Sequence, residues 1–130
     1  MKKIDLACII EDDSIHLFLA RKHIESSGLI KKLLIYRNGK EAFDSLKDLF
    51  ERKKTLPQII FLDINMPIWD GWQFLEEFSK IPLKDKIPIF ILTSSNCEDD
   101  FKKAEKFELA NNYLVKPITK EQITNIYLEM

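Results

Sequence analysis

The sequence predicts a doubly wound α/β fold, in which helices cover both faces of a parallel β-sheet. Five short apolar runs alternate with five amphipathic segments along 130 residues, a length that suits one domain. The runs are continuous rather than alternating, as is typical of strands buried on both faces. They are Ile4–Ile10, Leu33–Tyr36, Ile59–Leu62, Ile89–Leu92 and Tyr113–Val115. This order of elements indicates parallel strands.

The first two amphipathic segments carry helix signals. Ser14 or Asp13 can cap a helix that extends to about Ser27, where Gly28 provides a stop. Asn38 can cap the second helix. The apolar side chains of the second helix recur at helical spacing. They are Ala42, Leu46, Leu49 and Phe50.

The remaining three helices are predicted in the same way. The third helix begins at Asp70, and the fourth begins near Glu98 in a run of acids that suits the positive end of a helix dipole. Thr119 and Gln122 have the spacing of a capping box at the start of the fifth helix. The predicted buried stripe of the fifth helix is Ile123, Ile126 and Tyr127.

Connection rules narrow the topology. Right-handed crossovers leave few arrangements, and a common one is the flavodoxin-like (βα)5 fold with strand order 2-1-3-4-5. Ligands of such folds bind where the carboxyl ends of the first and third strands meet. We expect residues 1–130 to form a single domain without an output domain.

Composition excludes several classes of function. The net charge of −1 gives no general attraction to nucleic acid, and no stretch approaches membrane-spanning length. Cys8 and Cys97 are too few for a disulfide framework, which suits the reducing cytoplasm. Cys8 lies in an apolar run and is expected to be a small buried residue.

Acidic residues follow two of the predicted strands. Glu11, Asp12 and Asp13 end the first apolar run, and Asp63 ends the third. Because like charges repel, such a cluster needs a cation or raised pKa values. Hard oxygen ligands suit Mg²⁺, which Asp12 and Asp63 could bind directly and Glu11 through water. A main-chain carbonyl after Asp63 could add another ligand.

Two further loops at this edge suit phosphate chemistry. The hydroxyls of Thr93, Ser94 and Ser95 follow the fourth run, and Lys116 follows the fifth. Carboxylates can form acyl phosphates, and phosphoryl transfer needs mainly positioning and charge neutralisation. Each residue alone is more often an ordinary surface or capping group. Their joint placement at four strand ends favours a site.

Other polar and aromatic residues have simpler interpretations. His16 and His23 would lie about 10 Å apart along one helix, too far to share an ion, so packing is the preferred interpretation. Trp72 is expected in the core and Trp69 partly exposed beside the site. Tyr113 is either strand filling or a mobile aromatic.

These residues together resemble the receiver domain of two-component response regulators, of the stand-alone, chemotaxis-regulator-like type. The resemblance covers essentially the whole chain. Its motifs are Ile10–Asp13, Leu62–Pro67, Asp70-Gly71, Leu92–Ser95 and Tyr113–Pro117.

The resemblance implies a role for each residue of the acidic cluster. Asp63 is the phosphoacceptor. Glu11 and Asp12 bind Mg²⁺ (or Mn²⁺) together with Asp63, and the main-chain carbonyl of Asn65 completes the protein ligands. Ser94 is the small residue beside the site, where bulk would block the phosphodonor.

The resemblance also implies the parts of a switch. Thr93 follows the phosphoryl group inward, Lys116 pairs with phosphate, and Tyr113 is the switch aromatic. The Lys116–Pro117 bond is expected to be cis. Gly71 is matched to a tight-turn glycine, where the lack of a Cβ allows unusual φ angles.

The implied partners are a sensor histidine kinase or phosphotransfer protein and an unidentified downstream protein. Phosphorylation would alter the face made by the fourth helix, fifth strand and fifth helix. We expect a cytoplasmic bacterial protein, monomeric or dimeric on phosphorylation, that binds neither DNA nor membranes. Its catalysis would be limited to its own phosphotransfer and dephosphorylation. Trp69, where the family usually has a smaller apolar residue, and the long segment Glu51–Pro57 are departures that bear on partner fit.

Three alternatives compete with this interpretation. A receiver-shaped interaction module could work without phosphate. A flavodoxin is disfavoured because the acidic loop after the first strand would repel a flavin phosphate, and no glycine-rich loop follows that strand. A haloacid-dehalogenase-type phosphatase is disfavoured because Asn65 stands where its second acid would be.

Overall fold

The predicted alternation of strands and helices is confirmed. The computed structural model describes residues 3–66, 68–93 and 98–130, without the side chain of Glu98. Predictions for Pro67, Ser94, Ser95 and Cys97 therefore lie outside the described residues. The elements are β1 Ile4–Ile10, α1 Ser14–Ser27, β2 Ile30–Tyr36, α2 Gly39–Glu51, β3 Ile59–Asp63, α3 Gly71–Phe78, β4 Ile89–Thr93, α4 Glu98–Lys106, a 3₁₀ turn Ala110–Asn112, β5 Tyr113–Val115 and α5 Lys120–Glu129.

The five strands form one parallel sheet in the predicted order β2-β1-β3-β4-β5. Successive side chains of β1 point to opposite faces of this sheet. Cys8 and Ile10 join a core beneath α2, α3 and α4, whereas Ala7 and Ile9 join a second core beneath α1 and α5. Both faces are therefore buried, which explains why the central strands are apolar at every position.

Capping residues set the starts of the helices as predicted. Asp13, rather than Ser14, caps α1, and its carboxylate accepts hydrogen bonds from the backbone N–H groups of Ile15 and His16. Gly28 ends α1 in the left-handed conformation, with a φ of 67°. The capping box of Thr119 and Gln122 is present at α5. Asn38 and Asp70 cap α2 and α3.

The strand boundaries differ from prediction mainly in β2. β2 begins at Ile30 rather than at Leu33. Lys31 and Lys32 interrupt the apolar pattern, which is why the sequence predicted a later start. β2 is an edge strand, and its exposed start accommodates charged side chains that a central strand would exclude. β3 and β4 each extend one residue further than predicted, to Asp63 and Thr93.

The burial of Cys8 and the lengths of the helices agree with the sequence. Cys8 is fully buried, and burial raises the pKa of its thiol, as expected of an unreactive core residue. Across the described ranges, no helix is long and apolar enough to cross a membrane.

Gly71 is needed for close packing, which corrects the predicted reason for a glycine here. Its φ is not in the left-handed region; among the described glycines only Gly28 has a positive φ. A Cβ at Gly71 would lie 2.7 Å from the Cα of Ile64 and 2.9 Å from the carbonyl oxygen of Asp63. The start of α3 therefore packs directly against the backbone at the end of β3.

We expect Gly71→Ala to lower the free energy of unfolding by about 2–3 kcal/mol, because the new methyl group has no space against fixed backbone. It should also weaken the Mg²⁺ binding that the sequence predicts, since the displaced backbone carries Asp63. Urea denaturation and isothermal titration calorimetry measure the two effects.

Gly28→Ala is the matched control. A Cβ there meets nothing within 4 Å, so the variant should lose only about 1 kcal/mol of stability, from left-handed strain. Its Mg²⁺ affinity should equal that of the wild type. Equal stability losses in the two variants would contradict the packing argument.

Candidate functional site

Sheet topology brings the acidic residues together. β1 and β3 are neighbours, and Ile10 pairs with Leu62, so Glu11 and Asp63 leave the sheet side by side. Glu11, Asp12 and Asp63 each place one carboxylate oxygen within 4.8 Å of the others. The predicted meeting of the two acidic strand ends is confirmed.

Two of these acids are removed from solvent. Glu11 and Asp63 are each 1% exposed, whereas Asp12 is half-buried. Charged groups are rarely buried in this way without partners. The cluster is therefore an energetic burden on the fold unless positive charge lies beside it.

Lys116 provides part of that positive charge. Its Nζ lies 2.8 Å from Oε1 of Glu11 and 3.1 Å from Oδ1 of Asp63. The Lys116 backbone N–H donates to the carbonyl of Thr93 at 2.7 Å, which fixes the residue at the end of β5. The lysine side chain is 7% exposed. One ammonium group thus pairs with two buried carboxylates.

The charge of the cluster is incompletely neutralised. Burial, together with the hydrogen bond and negative charge of Glu11, raises the pKa of Asp63 to about 6. Burial and the charge of Asp63 also raise the pKa of Asp12. Burial alone would lower the pKa of Lys116, but its hydrogen bonds to Glu11 and Asp63 and their charges outweigh this and raise it. The site therefore favours binding of a further cation.

Asp13 does not join the acidic cluster. Its carboxylate caps α1, and the hydrogen bonds that it accepts from backbone N–H groups keep its pKa below the usual range. Its own backbone N–H donates to Oε2 of Glu11 at 3.2 Å. The backbone of Asp13 thus helps to orient Glu11, while its carboxylate caps α1.

Thr93 and Asn65 lie at the same sheet edge as the acids, and Tyr113 lies two residues before that edge on β5. Thr93 is fully buried at the end of β4 and pairs with Val115 of β5. The backbone N–H of Asn65 donates to Oδ1 of Asp63 at 3.2 Å. Tyr113 lies at the start of β5, with its ring edge-on to Phe101 of α4 at 5.9 Å. The Lys116–Pro117 peptide bond is cis, as the resemblance implied.

Sequence reasoning missed His16. Its Nδ1 lies 3.3 Å from the Nζ of Lys116, although the two residues are 100 positions apart. The available signal was its place in the first turn of α1, which starts at the same sheet edge as Glu11 and Asp12. A side chain in that turn can reach the mouth of the site.

The two tryptophans pack against different neighbours on the same face of the sheet. Trp69 is half-buried and packs against α2, with its ring 5.3 Å from that of Phe43. Trp72 packs on the core beneath α2, α3 and α4 and stacks on Phe107. The bulk of Trp69 thus secures the β3–α3 loop to α2.

Comparisons with known proteins agree with this arrangement. The family model described as the response regulator receiver domain matches residues 7–128. Response regulator Rcp1 of Synechocystis sp. is 33% identical over 110 residues, which are 83% of this chain and 74% of Rcp1. A two-component response regulator from Cytophaga hutchinsonii superposes with a TM-score of 0.87 at 32% identity, over 98% of this chain and 97% of that chain.

Two similar structures show response regulators in a metal-bound and in a phosphorylated form. The Mn²⁺-bound form of Rcp1 gives a TM-score of 0.73 at 26% identity, over 94% of this chain and 88% of its own. The phosphorylated cyanobacterial phytochrome response regulator RcpA gives 0.74 at 26% identity, over 95% and 88%.

We expect the raised pKa of Asp63 to appear in the pH dependence of stability. A carboxyl with a pKa of about 6 when folded, against the ordinary 3.8, binds its proton more tightly in the folded state. Its contribution to stability therefore falls as pH rises through about 4 to 7. Asp63→Asn removes this titration. Without divalent cations, the free energy of unfolding of the variant should rise relative to that of the wild type by about 2 kcal/mol as pH increases across that window. Urea denaturation measures this difference.

Asp70→Asn replaces an exposed carboxylate at the cap of α3 and serves as the control. It shows how much of the measured effect comes from the loss of any one carboxylate in this part of the chain. A difference between Asp63→Asn and the wild type that stays constant from pH 4 to 7 would contradict the raised pKa.

Proposed function

The chain belongs to the response regulator receiver family, and we propose that it is a Mg²⁺-dependent phosphoacceptor switch in which Asp63 receives the phosphoryl group. The observation that carries this proposal is the convergence of Glu11, Asp12 and Asp63 around Lys116. Carboxylates that bind a divalent cation and an ammonium that binds phosphate are the groups that such a transfer needs.

The donor set of the chain fits Mg²⁺. All three clustered side chains offer carboxylate oxygens, which hard cations prefer. The raised pKa values of Asp12 and Asp63 indicate that negative charge is in excess at the site. We propose Glu11, Asp12, Asp63 and the main-chain carbonyl of Asn65 as the protein ligands, with Mn²⁺ as a substitute. When bound, the cation neutralises negative charge on both Asp63 and the phosphoryl donor.

The remaining residues would assist the transfer itself. A carboxylate oxygen of Asp63 forms the new bond to phosphorus, while the bond from phosphorus to the donor breaks and the donor leaves with its electron pair. Lys116 exchanges its contact with Asp63 for one with a phosphoryl oxygen. Thr93, buried at the end of β4, lies one strand away and donates its hydroxyl to the phosphoryl group.

The switch would pass from Thr93 to Tyr113. In this structure the hydroxyl of Tyr113 is buried and meets no hydrogen-bond partner among the described residues. A buried hydroxyl without a hydrogen bond is costly, so a new position of the ring that supplies one would be favoured when Thr93 moves. We propose that its movement alters the face formed by α4, β5 and α5, where Phe101 and Val115 are already partly exposed.

The proposed partners follow from this chemistry. A sensor histidine kinase or a phosphotransfer protein would supply the phosphoryl group, and a downstream protein would bind the altered face. We propose that residues 1–130 form one receiver domain, monomeric or dimeric on phosphorylation, whose catalysis is limited to its own phosphotransfer and dephosphorylation. The second candidate is a receiver-like interaction module that works without phosphate, and partner affinity unchanged by beryllofluoride would favour it.

Incubation with acetyl phosphate and Mg²⁺ tests the phosphoacceptor assignment. We expect the wild type to gain one phosphoryl group by intact mass spectrometry, and chelation of Mg²⁺ to prevent the gain. Asp63→Asn should gain none, because the nucleophile is absent.

Asp70→Asn is the matched control, because it changes an exposed aspartate seven residues away on the same loop and keeps a capping side chain. It should be phosphorylated like the wild type. Equal phosphorylation of Asp63→Asn, or none in the wild type, would falsify the assignment.

A further inference from the structure

We propose that His16 is a positioning residue that holds the ammonium of Lys116 in place while its contact with Asp63 is exchanged for one with the phosphoryl group. This inference rests on the proposed function of Lys116 in binding phosphate. The observation behind it is the 3.3 Å separation between Nδ1 of His16 and Nζ of Lys116.

The ammonium has the right number of acceptors. A lysine ammonium carries three N–H donors and no acceptor. Among the described residues, three acceptor atoms surround Nζ of Lys116: Oε1 of Glu11 at 2.8 Å, Oδ1 of Asp63 at 3.1 Å and Nδ1 of His16 at 3.3 Å. The lysine side chain is only 7% exposed. Water is therefore a poor substitute for any of the three.

The three acceptors have different fates during phosphoryl transfer. Asp63 becomes the phosphorylated group, and Glu11 belongs to the proposed cation site, so both change their charge environment in the reaction. His16 lies on α1, outside that set of ligands. It is the one acceptor of the three whose contact with Lys116 need not change.

The backbone of His16 is itself fixed. Its N–H donates to Oδ1 of Asp13 at 3.0 Å, within the cap of α1. The imidazole is 33% exposed, so its outer edge can carry a proton in contact with water. A capped helix start thus presents the ring to Lys116 from a rigid element.

The contact specifies a tautomer. To accept from an ammonium, Nδ1 of His16 must lack a proton, so the neutral ring carries its proton on Nε2. The competing partner of Nδ1 is Oδ1 of Asp13, which would favour a proton on Nδ1. That oxygen is 4.0 Å away, against 3.3 Å for Lys116, and the geometry favours the lysine.

Substitutions at His16 test the proposed role. His16→Leu should slow phosphorylation by acetyl phosphate about ten-fold, because one donor of a buried ammonium loses its acceptor. Mg²⁺ affinity, measured by isothermal titration calorimetry, should be unchanged, since the carboxylates are untouched. His16→Asn places an oxygen near the position of Nδ1 and should restore most of the rate.

His23→Leu is the matched control, because His23 is a half-buried histidine about 10 Å further along the same helix. It should phosphorylate at the wild-type rate. A wild-type rate in His16→Leu, or failure of His16→Asn to restore the rate, would overturn the inference.

Nuclear magnetic resonance separates this inference from the proposed function. Long-range ¹H–¹⁵N spectra of the unphosphorylated protein near pH 8, where an ordinary imidazole is neutral, report the tautomer directly. We expect the proton of His16 on Nε2, and a shift toward the mixed tautomers of a free imidazole in Lys116→Met. A proton on Nδ1 in the wild type would refute the contact. The expected tautomer in a protein that acetyl phosphate does not modify would instead refute the phosphoacceptor proposal, while the contact between His16 and Lys116 would stand.

Discussion

Repulsion among the carboxylates of Glu11, Asp12 and Asp63 is the constraint on which the site depends. Two of the three are buried, and Lys116 neutralises only part of their charge. The raised pKa of Asp63 expresses this excess as a preference for a bound proton. The same excess favours a divalent cation, so the feature that burdens the fold also makes the site responsive to ligands.

The two apolar cores are what make this burden tolerable. The central strands β1 and β3 place buried side chains on both faces, and Ile10 and Leu62, which precede the acidic residues, are both fully buried. Neighbouring strands are held about 4.8 Å apart by their hydrogen bonds. The carboxylates therefore cannot relieve their repulsion by moving apart, because doing so would open the sheet. Rigid strands hold the charges in an arrangement that flexible loops would avoid.

Sequence patterns predicted the strand order and the acidic cluster because both depend on strongly local signals. A continuous apolar run that ends in a carboxylate defines both a buried strand and its charged end, as in Ile59–Asp63. The missed features depend on contacts across the chain. Gly71 owes its identity to the backbone of Ile64, and His16 owes its place to a lysine 100 residues away. Neither contact leaves a periodic pattern in the sequence. The start of β2 was missed because an edge strand tolerates lysines, which interrupt the apolar run.

The β3–α3 loop shows how distant packing supports the site. Ile68 adopts a φ of 68°, a conformation that costs a β-branched residue about 1–2 kcal/mol or more, and its side chain is 72% exposed and gains little in return. The neighbouring Trp69 offsets this cost, because its ring packs on Phe43 and its carbonyl accepts a hydrogen bond from the N–H of Gly39. A Cβ at Gly39 would lie 2.8 Å from that carbonyl, so the helix and loop are matched to each other. Because the loop begins directly after Asp63, securing it to α2 restricts the backbone that carries the proposed phosphoacceptor. Trp69 thus acts on the site through the backbone rather than by contact with the acids.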